Sequence, residues 1–97
     1  MHVISKKTLV EFWNKHKDAE EALKAWYQET EYADWSGPND IRLRYRNADF
    51  LPGNLVVFNI KGNSYRLIAR LNYHSRRVYI RFIGTHAEYD RIRAEEQ

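Results

Sequence analysis

At 97 residues with no cysteine, the chain is long enough for one small domain over 1–97 and excludes a disulfide-stapled scaffold. A hydrophobic share of 43% is enough to fold and too much for a disordered tail, while no run approaches the roughly 18 apolar residues of a membrane span. The opening Met1-His2-Val3-Ile4-Ser5-Lys6-Lys7 carries no apolar stretch that could serve as a secretion signal, so a cytoplasmic setting without a membrane partner is expected.

Charge is spread unevenly. Residues 1–40 carry five lysines, no arginine and eight acids, a net −3. Residues 41–97 carry ten arginines, one lysine and five acids, a net +6. The stretch 61–81 holds six basic residues and no acid, which points to a polyanionic partner, nucleic acid first among them.

The first third reads as helical. Residues 2–4 have the pattern of a short edge strand, and Ser5 is placed to cap a helix carrying Leu9, Phe12, Trp13 and His16 at helical spacing. Asp18 is placed to cap a second helix, whose inner stripe is Ala19, Ala22, Leu23, Trp26, Tyr27 and Thr30. Trp13 and Trp26 on these stripes are core candidates. Ser36-Gly37-Pro38 breaks the chain, and Pro38 suits the first turn of a short third helix with Ile41 and Tyr45 inward. Leu51-Pro52-Gly53 ends that segment.

A strand meander follows, with runs at 55–60, 65–73 and 78–83. Two-residue turns at Gly62-Asn63 and Ser75-Arg76 place Asn59 opposite Arg66, Phe58 opposite Leu67, Leu71 opposite Ile80 and Arg70 opposite Arg81. Alternation then puts Val56, Phe58, Ile60, Leu67, Ala69, Leu71, Val78, Ile80 and Phe82 on a face the helices can cover. The other face collects Asn59, Arg66, Arg70, Asn72, Tyr79 and Arg81. Opposed arginines repel across a ladder, and a phosphate held between them offsets that cost. Thr85-His86-Ala87-Glu88 has capping-box spacing, so a last short helix starts at His86 and carries Tyr89 and Ile92.

His86 beside that polar face is an acid–base candidate. The helix dipole and neighbouring arginines favour its neutral form, and Tyr89 three residues on adds a phenol. The four histidines are scattered with no paired spacing, so no metal ligands and no cofactor are expected. No Gly-rich phosphate loop or Gly-x-Ser-x-Gly elbow is present in the sequence.

Val57-Phe58-Asn59-Ile60-Lys61-Gly62-Asn63-Ser64-Tyr65-Arg66-Leu67 and Tyr79-Ile80-Arg81-Phe82-Ile83-Gly84-Thr85-His86-Ala87-Glu88-Tyr89-Asp90 closely resemble the HigB family of bacterial toxins, which is grouped with the RelE-like fold. The resemblance covers nearly the whole chain. It implies an α+β domain with N-terminal helices packed on one face of a small antiparallel sheet, the other face open, and a short C-terminal helix. It further implies a metal-independent endoribonuclease that cleaves mRNA, generally on the translating ribosome. The implied partners are that mRNA and a HigA-like helix-turn-helix antitoxin, with operator DNA reached only through the antitoxin.

Asn59, Arg66, Arg81, His86 and Tyr89 match the family motif. Arg70 and Tyr79 rest on the face assignment, and Lys61 heads the acid-free basic stretch. The expected roles follow from RNA cleavage by its own 2′-hydroxyl: His86 as acid/base, Tyr89 as its assistant, and Arg66, Arg70 and Arg81 on phosphate. Asn59, Tyr79 and Lys61 complete RNA binding. A non-catalytic RNA-binding module and a toxin acting on a protein target fit the same residues and stay open on sequence alone.

Overall fold

The computed structural model describes residues 1–95. The elements in chain order are β1 (His2–Ile4), α1 (Lys6–Lys15), a 3-10 turn (Lys17–Ala19), α2 (Glu20–Tyr32), α3 (Pro38–Arg44), β2 (Asp49–Leu51), β3 (Leu55–Ile60), β4 (Tyr65–Asn72), β5 (Arg77–Thr85) and α4 (His86–Glu95). They build an α+β fold around one five-stranded sheet of order β1-β5-β4-β3-β2. The sheet is mixed rather than antiparallel throughout. The β2-β3-β4-β5 meander is antiparallel, whereas β1 enters from the N-terminus and runs parallel to β5.

One sheet face carries the main core. Leu9 and Trp13 from α1, Leu23, Trp26 and Thr30 from α2, and Ile41 from α3 are buried over Val56, Phe58, Leu67, Ala69, Leu71 and Val78. Phe58 is the hub: Trp26 and Tyr45 meet its ring edge-on at 5.3 and 5.1 Å, and Trp35 stacks at 6.2 Å. Such aromatic pairs add to the burial of their own surface, which a small chain needs. Both tryptophans placed in the core by helical spacing are there.

The caps differ in detail from the sequence expectation. Ser5 holds the N-cap position of α1 through its backbone, its carbonyl accepting from Thr8 N–H at 3.0 Å, with no side-chain bond. Asp18 does not cap α2. Its carboxylate instead accepts from the Tyr65 hydroxyl at 2.5 Å and Lys61 Nζ at 3.1 Å, tying the helical layer to the β3–β4 turn. β2 was not expected; Pro52-Gly53 turns it back onto β3 instead of only ending the α3 segment.

The first hairpin has the anticipated register, with Asn59 opposite Arg66 and Phe58 opposite Leu67. Gly62 at φ 63 supplies the backbone conformation that its tight turn demands. The second hairpin departs from expectation. Its loop is four residues long between Asn72 and Arg77, with Asn72 Oδ1 accepting from Ser75 N–H at 3.0 Å. Arg70 therefore faces Tyr79, not Arg81, and Leu71 faces Val78, not Ile80.

A bulge adds a second change. Ile68 pairs with Phe82 and Ala69 with Ile80, leaving Arg81 as the extra residue. The bulge shifts the alternation of β5 by one, so Ile83 packs on the main core with Ile80 while Phe82 lies outside it. That exchange reverses the places given to Phe82 and Ile83 by unbroken alternation. It also relieves the direct Arg70–Arg81 repulsion, since the two are no longer ladder partners.

Candidate active site

Rows across the second sheet face follow from the register: Asn59–Arg66–Gly84, then Val57–Ile68–Phe82, then Leu55–Arg70–Tyr79, with Arg81 bulged beside Phe82. This face is not fully open. α4 turns back over β4 and β5, and Val57 and Ile68 in the middle row are buried outside the main core.

The start of α4 is fixed by a complete capping box. Glu88 N–H donates to Thr85 Oγ1 at 3.1 Å, and Thr85 N–H donates to Glu88 Oε1 at 2.8 Å. The bond from the Thr85 backbone holds the Glu88 carboxyl below its usual range. His86 N–H also donates to Ser64 O at 3.3 Å, anchoring the helix start to the β3–β4 turn. The first residue of α4 is thereby held against Ser64, directly after the Thr85–Tyr65 and Gly84–Arg66 pairs.

The ladder and the helix start bring Asn59, Arg66 and Tyr89 to one end of the face, with His86 opening the same helix as Tyr89. The Arg66 guanidinium lies 5.9 Å from the Tyr89 ring centroid, and its Nη1 donates to Asn63 O at 3.4 Å. Asn59 Nδ2 donates to Asn47 O at 3.2 Å, at the edge of a hollow of about 340 Å³ that Arg44, Arg46 and Asn63 also line. His86 is half-exposed, and its Nδ1 lies 2.9 Å from Asp90 Oδ2. A carboxylate in that position fixes the tautomer and ring orientation, so Nε2 is the nitrogen left for substrate. Sequence reasoning missed Asp90, although its i,i+4 spacing from His86 on a helix was the available signal.

The remaining candidates lie elsewhere. Arg70 and Arg81 line a second hollow, toward the β2–β3 end of the face, and Tyr79 sits across the ladder from Arg70. At about 3.3 Å per strand residue, Arg70 is roughly 13 Å along β4 from Arg66, too far for the two to share one phosphate. Lys61 is turned to Asp18 on the helical side and does not join the Arg66 group. Phe82 belongs to this face, which strict alternation concealed. Among the described residues, no three His, Cys, Asp or Glu side chains gather as a metal site, and no helix is long and apolar enough to cross a membrane.

The corner combines an oriented imidazole, a guanidinium, a phenol and an amide. It can move a proton and stabilise an anion within one small exposed surface.

Comparison with known proteins agrees with the motif. Residues 19–92 match the family model of HigB toxin, described as the RelE-like toxic component of a toxin–antitoxin system. An mRNA interferase HigB of Escherichia coli O6:H1 (strain CFT073) is 32% identical over 94 residues, covering 95% of this chain and 91% of that protein. The mRNA interferase toxin HigB of Escherichia coli K12 is 31% identical over 98 residues, covering 93% and 88%. The chain belongs to the HigB family of RelE-like toxins.

Proposed function

We propose that the protein is a metal-independent endoribonuclease that cuts mRNA on the translating ribosome and is neutralised by a helix-turn-helix antitoxin. The observation carrying this reading is the start of α4, where Asp90 lies against His86 Nδ1 and the Arg66 guanidinium lies over the Tyr89 ring at the basic sheet face. Membership of a toxin family and relatives named mRNA interferases support it.

His86 Nε2 takes the proton of the 2′-hydroxyl, and the 2′-oxygen attacks the adjacent phosphorus. Arg66 stabilises the charge that develops on the non-bridging oxygens. The P–O5′ bond breaks, and a proton from the Tyr89 phenol or the imidazolium passes to the leaving oxygen. The products are a 2′,3′-cyclic phosphate and a 5′-hydroxyl end. Asn59 orients the backbone at the cut, while Arg70 and Arg81 hold phosphates further along the strand and Tyr79 stacks beside them. The ribosome supplies much of the alignment, so a small site suffices. Lys61, paired with Asp18 on the helical side, takes no part at the cutting corner.

A translation reaction supplied with the purified protein tests this directly. New ends are expected within the translated message, each a 5′-hydroxyl, and absent when the nucleotide before the cut is 2′-deoxy. Ends carrying 5′-phosphate contradict 2′-hydroxyl attack. Translation blocked with no new ends contradicts the nuclease reading and favours a binding module or a protein-directed toxin.

A further inference from the structure

Where β2 ends, the edge of β3 is left to a turn instead of a strand. β2 pairs with Leu55, Val56 and Val57 of β3, and the chain before it turns at 45–48, closed by Ala48 N–H donating to Tyr45 O at 3.2 Å. Two further bonds fix that turn. The Tyr45 hydroxyl donates to Glu29 Oε2 at 2.6 Å, and Asn47 O accepts from Asn59 Nδ2 at 3.2 Å. Between this turn and the β3–β4 turn lies the hollow of about 340 Å³, with Arg44, Arg46, Asn47, Asn59 and Asn63 in its lining.

The two arginines of this hollow differ. Arg44 is engaged, its Nη2 donating to Glu29 Oε1 at 2.6 Å. Arg46 is exposed within the turn and has no ion pair or hydrogen bond among the described residues. The side-chain amides of Asn47 and Asn63 are likewise without a partner among the described residues, and Asn59 keeps the second hydrogen of its own amide. Among the described residues that line the hollow, none is acidic. One uncompensated guanidinium among amide donors matches an anion of single charge, and a phosphodiester is such an anion with oxygens that accept from several donors at once. Asn59 is also the ladder partner of Arg66, so hollow and polar corner are about 4.8 Å apart at the backbone, the spacing of neighbouring strands.

We infer that this hollow is a phosphodiester subsite, in which Arg46 and the Asn47 and Asn63 amides hold a backbone phosphate of the RNA strand on the β3 side of the polar corner. The contact fixes the position of the strand and takes no account of base identity. Because the turn is already tied down at both Tyr45 and Asn47, little ordering is required when the phosphate arrives. The inference rests on the RNA-directed reading above and adds to it a second point, apart from Arg66, at which the strand is aligned.

The test measures binding of a fluorescent single-stranded oligonucleotide, fully 2′-O-methylated so that no 2′-hydroxyl can attack, as salt is raised. Wild type is compared with Arg46→Gln and with Lys15→Gln, which removes the same charge from the last turn of α1. Arg46→Gln is expected to melt like wild type, since the side chain is exposed and unpartnered. It should bind about 3- to 10-fold more weakly at low salt, with a salt slope shallower by about 0.7, the share of one phosphate on a single strand. Lys15→Gln should match wild type, and on an oligonucleotide with a neutral methylphosphonate backbone all three should bind alike. An unchanged slope and affinity for Arg46→Gln overturns the subsite, as does an equal loss in Lys15→Gln, a difference that persists on the neutral backbone, or a wild type that does not bind at low salt. Loss of ribosome co-sedimentation by Arg46→Gln with oligonucleotide binding intact overturns it in favour of a ribosomal phosphate. If wild type binds as expected yet makes no cuts in a translated message, the nuclease reading fails while the subsite stands.

Discussion

Gly84 shows how one missing side chain arranges several neighbours. It faces Arg66 across the ladder, lies under the Phe82 ring and sits beside the Glu88 carboxylate of the capping box. Its backbone needs no left-handed conformation; close approach alone excludes a Cβ. Gly84→Ala is therefore expected to push the Phe82 ring aside and destabilise the fold by about 1–3 kcal/mol, as overpacking does. Urea unfolding checks this, and an unchanged midpoint contradicts the packing described. His86 gives the complementary lesson. Its place at the helix start was legible from Thr85 and Glu88, but its orientation depends on Asp90, visible only once the helix is taken as real.

At the scale of elements, α4 is held to the sheet by short-range polar bonds more than by a broad apolar face. The Glu88 carboxylate accepts from the Thr85 backbone and has a depressed pKa, so it contributes stability above the usual carboxylate value of 4.5. That contribution is lost as the pH falls through the folded value. The melting temperature of wild type should thus fall more steeply than that of Glu88→Gln between about pH 5 and pH 3, both followed by circular dichroism. Parallel slopes contradict the assigned role of the box. The helices and three long strands were readable because Trp13, Trp26, Phe58 and Leu67 repeat at helical or strand spacing. The bulge was not, because alternation counts residues and cannot show where one is skipped. Arg81 lies between the paired Ile80 and Phe82, and only the Ile83 side chain in the core betrays the shift. β2 and the parallel pairing of β1 were hidden for a related reason: both depend on distant partners.

The whole molecule separates its charges by layer. Residues 1–40 carry eight of the thirteen acids, and all ten arginines fall in residues 41–97. Paired acids hold several basic groups on the helical side, as with Arg44–Glu29 and Lys61–Asp18. Across the sheet, Arg66, Arg70 and Arg81 share the face that α4 borders. In the proposed function this layout gives a nucleic-acid strand one surface to follow, beginning at the corner of His86. The basic surface and the polar corner were both legible in the sequence, because charge composition and a capping box are local signals. Their separation into a polar corner and a neighbouring hollow was not, since it needed the true β4–β5 register.

The most direct measurement is a brief induced expression of wild type and His86→Ala, with 5′ ends mapped across translated messages and folding of the variant checked by thermal melt. The account predicts new ends inside coding regions for wild type and their absence for a folded His86→Ala protein. Equal cutting by both would contradict the role of His86, and growth arrest by wild type without new mRNA ends would contradict the nuclease itself.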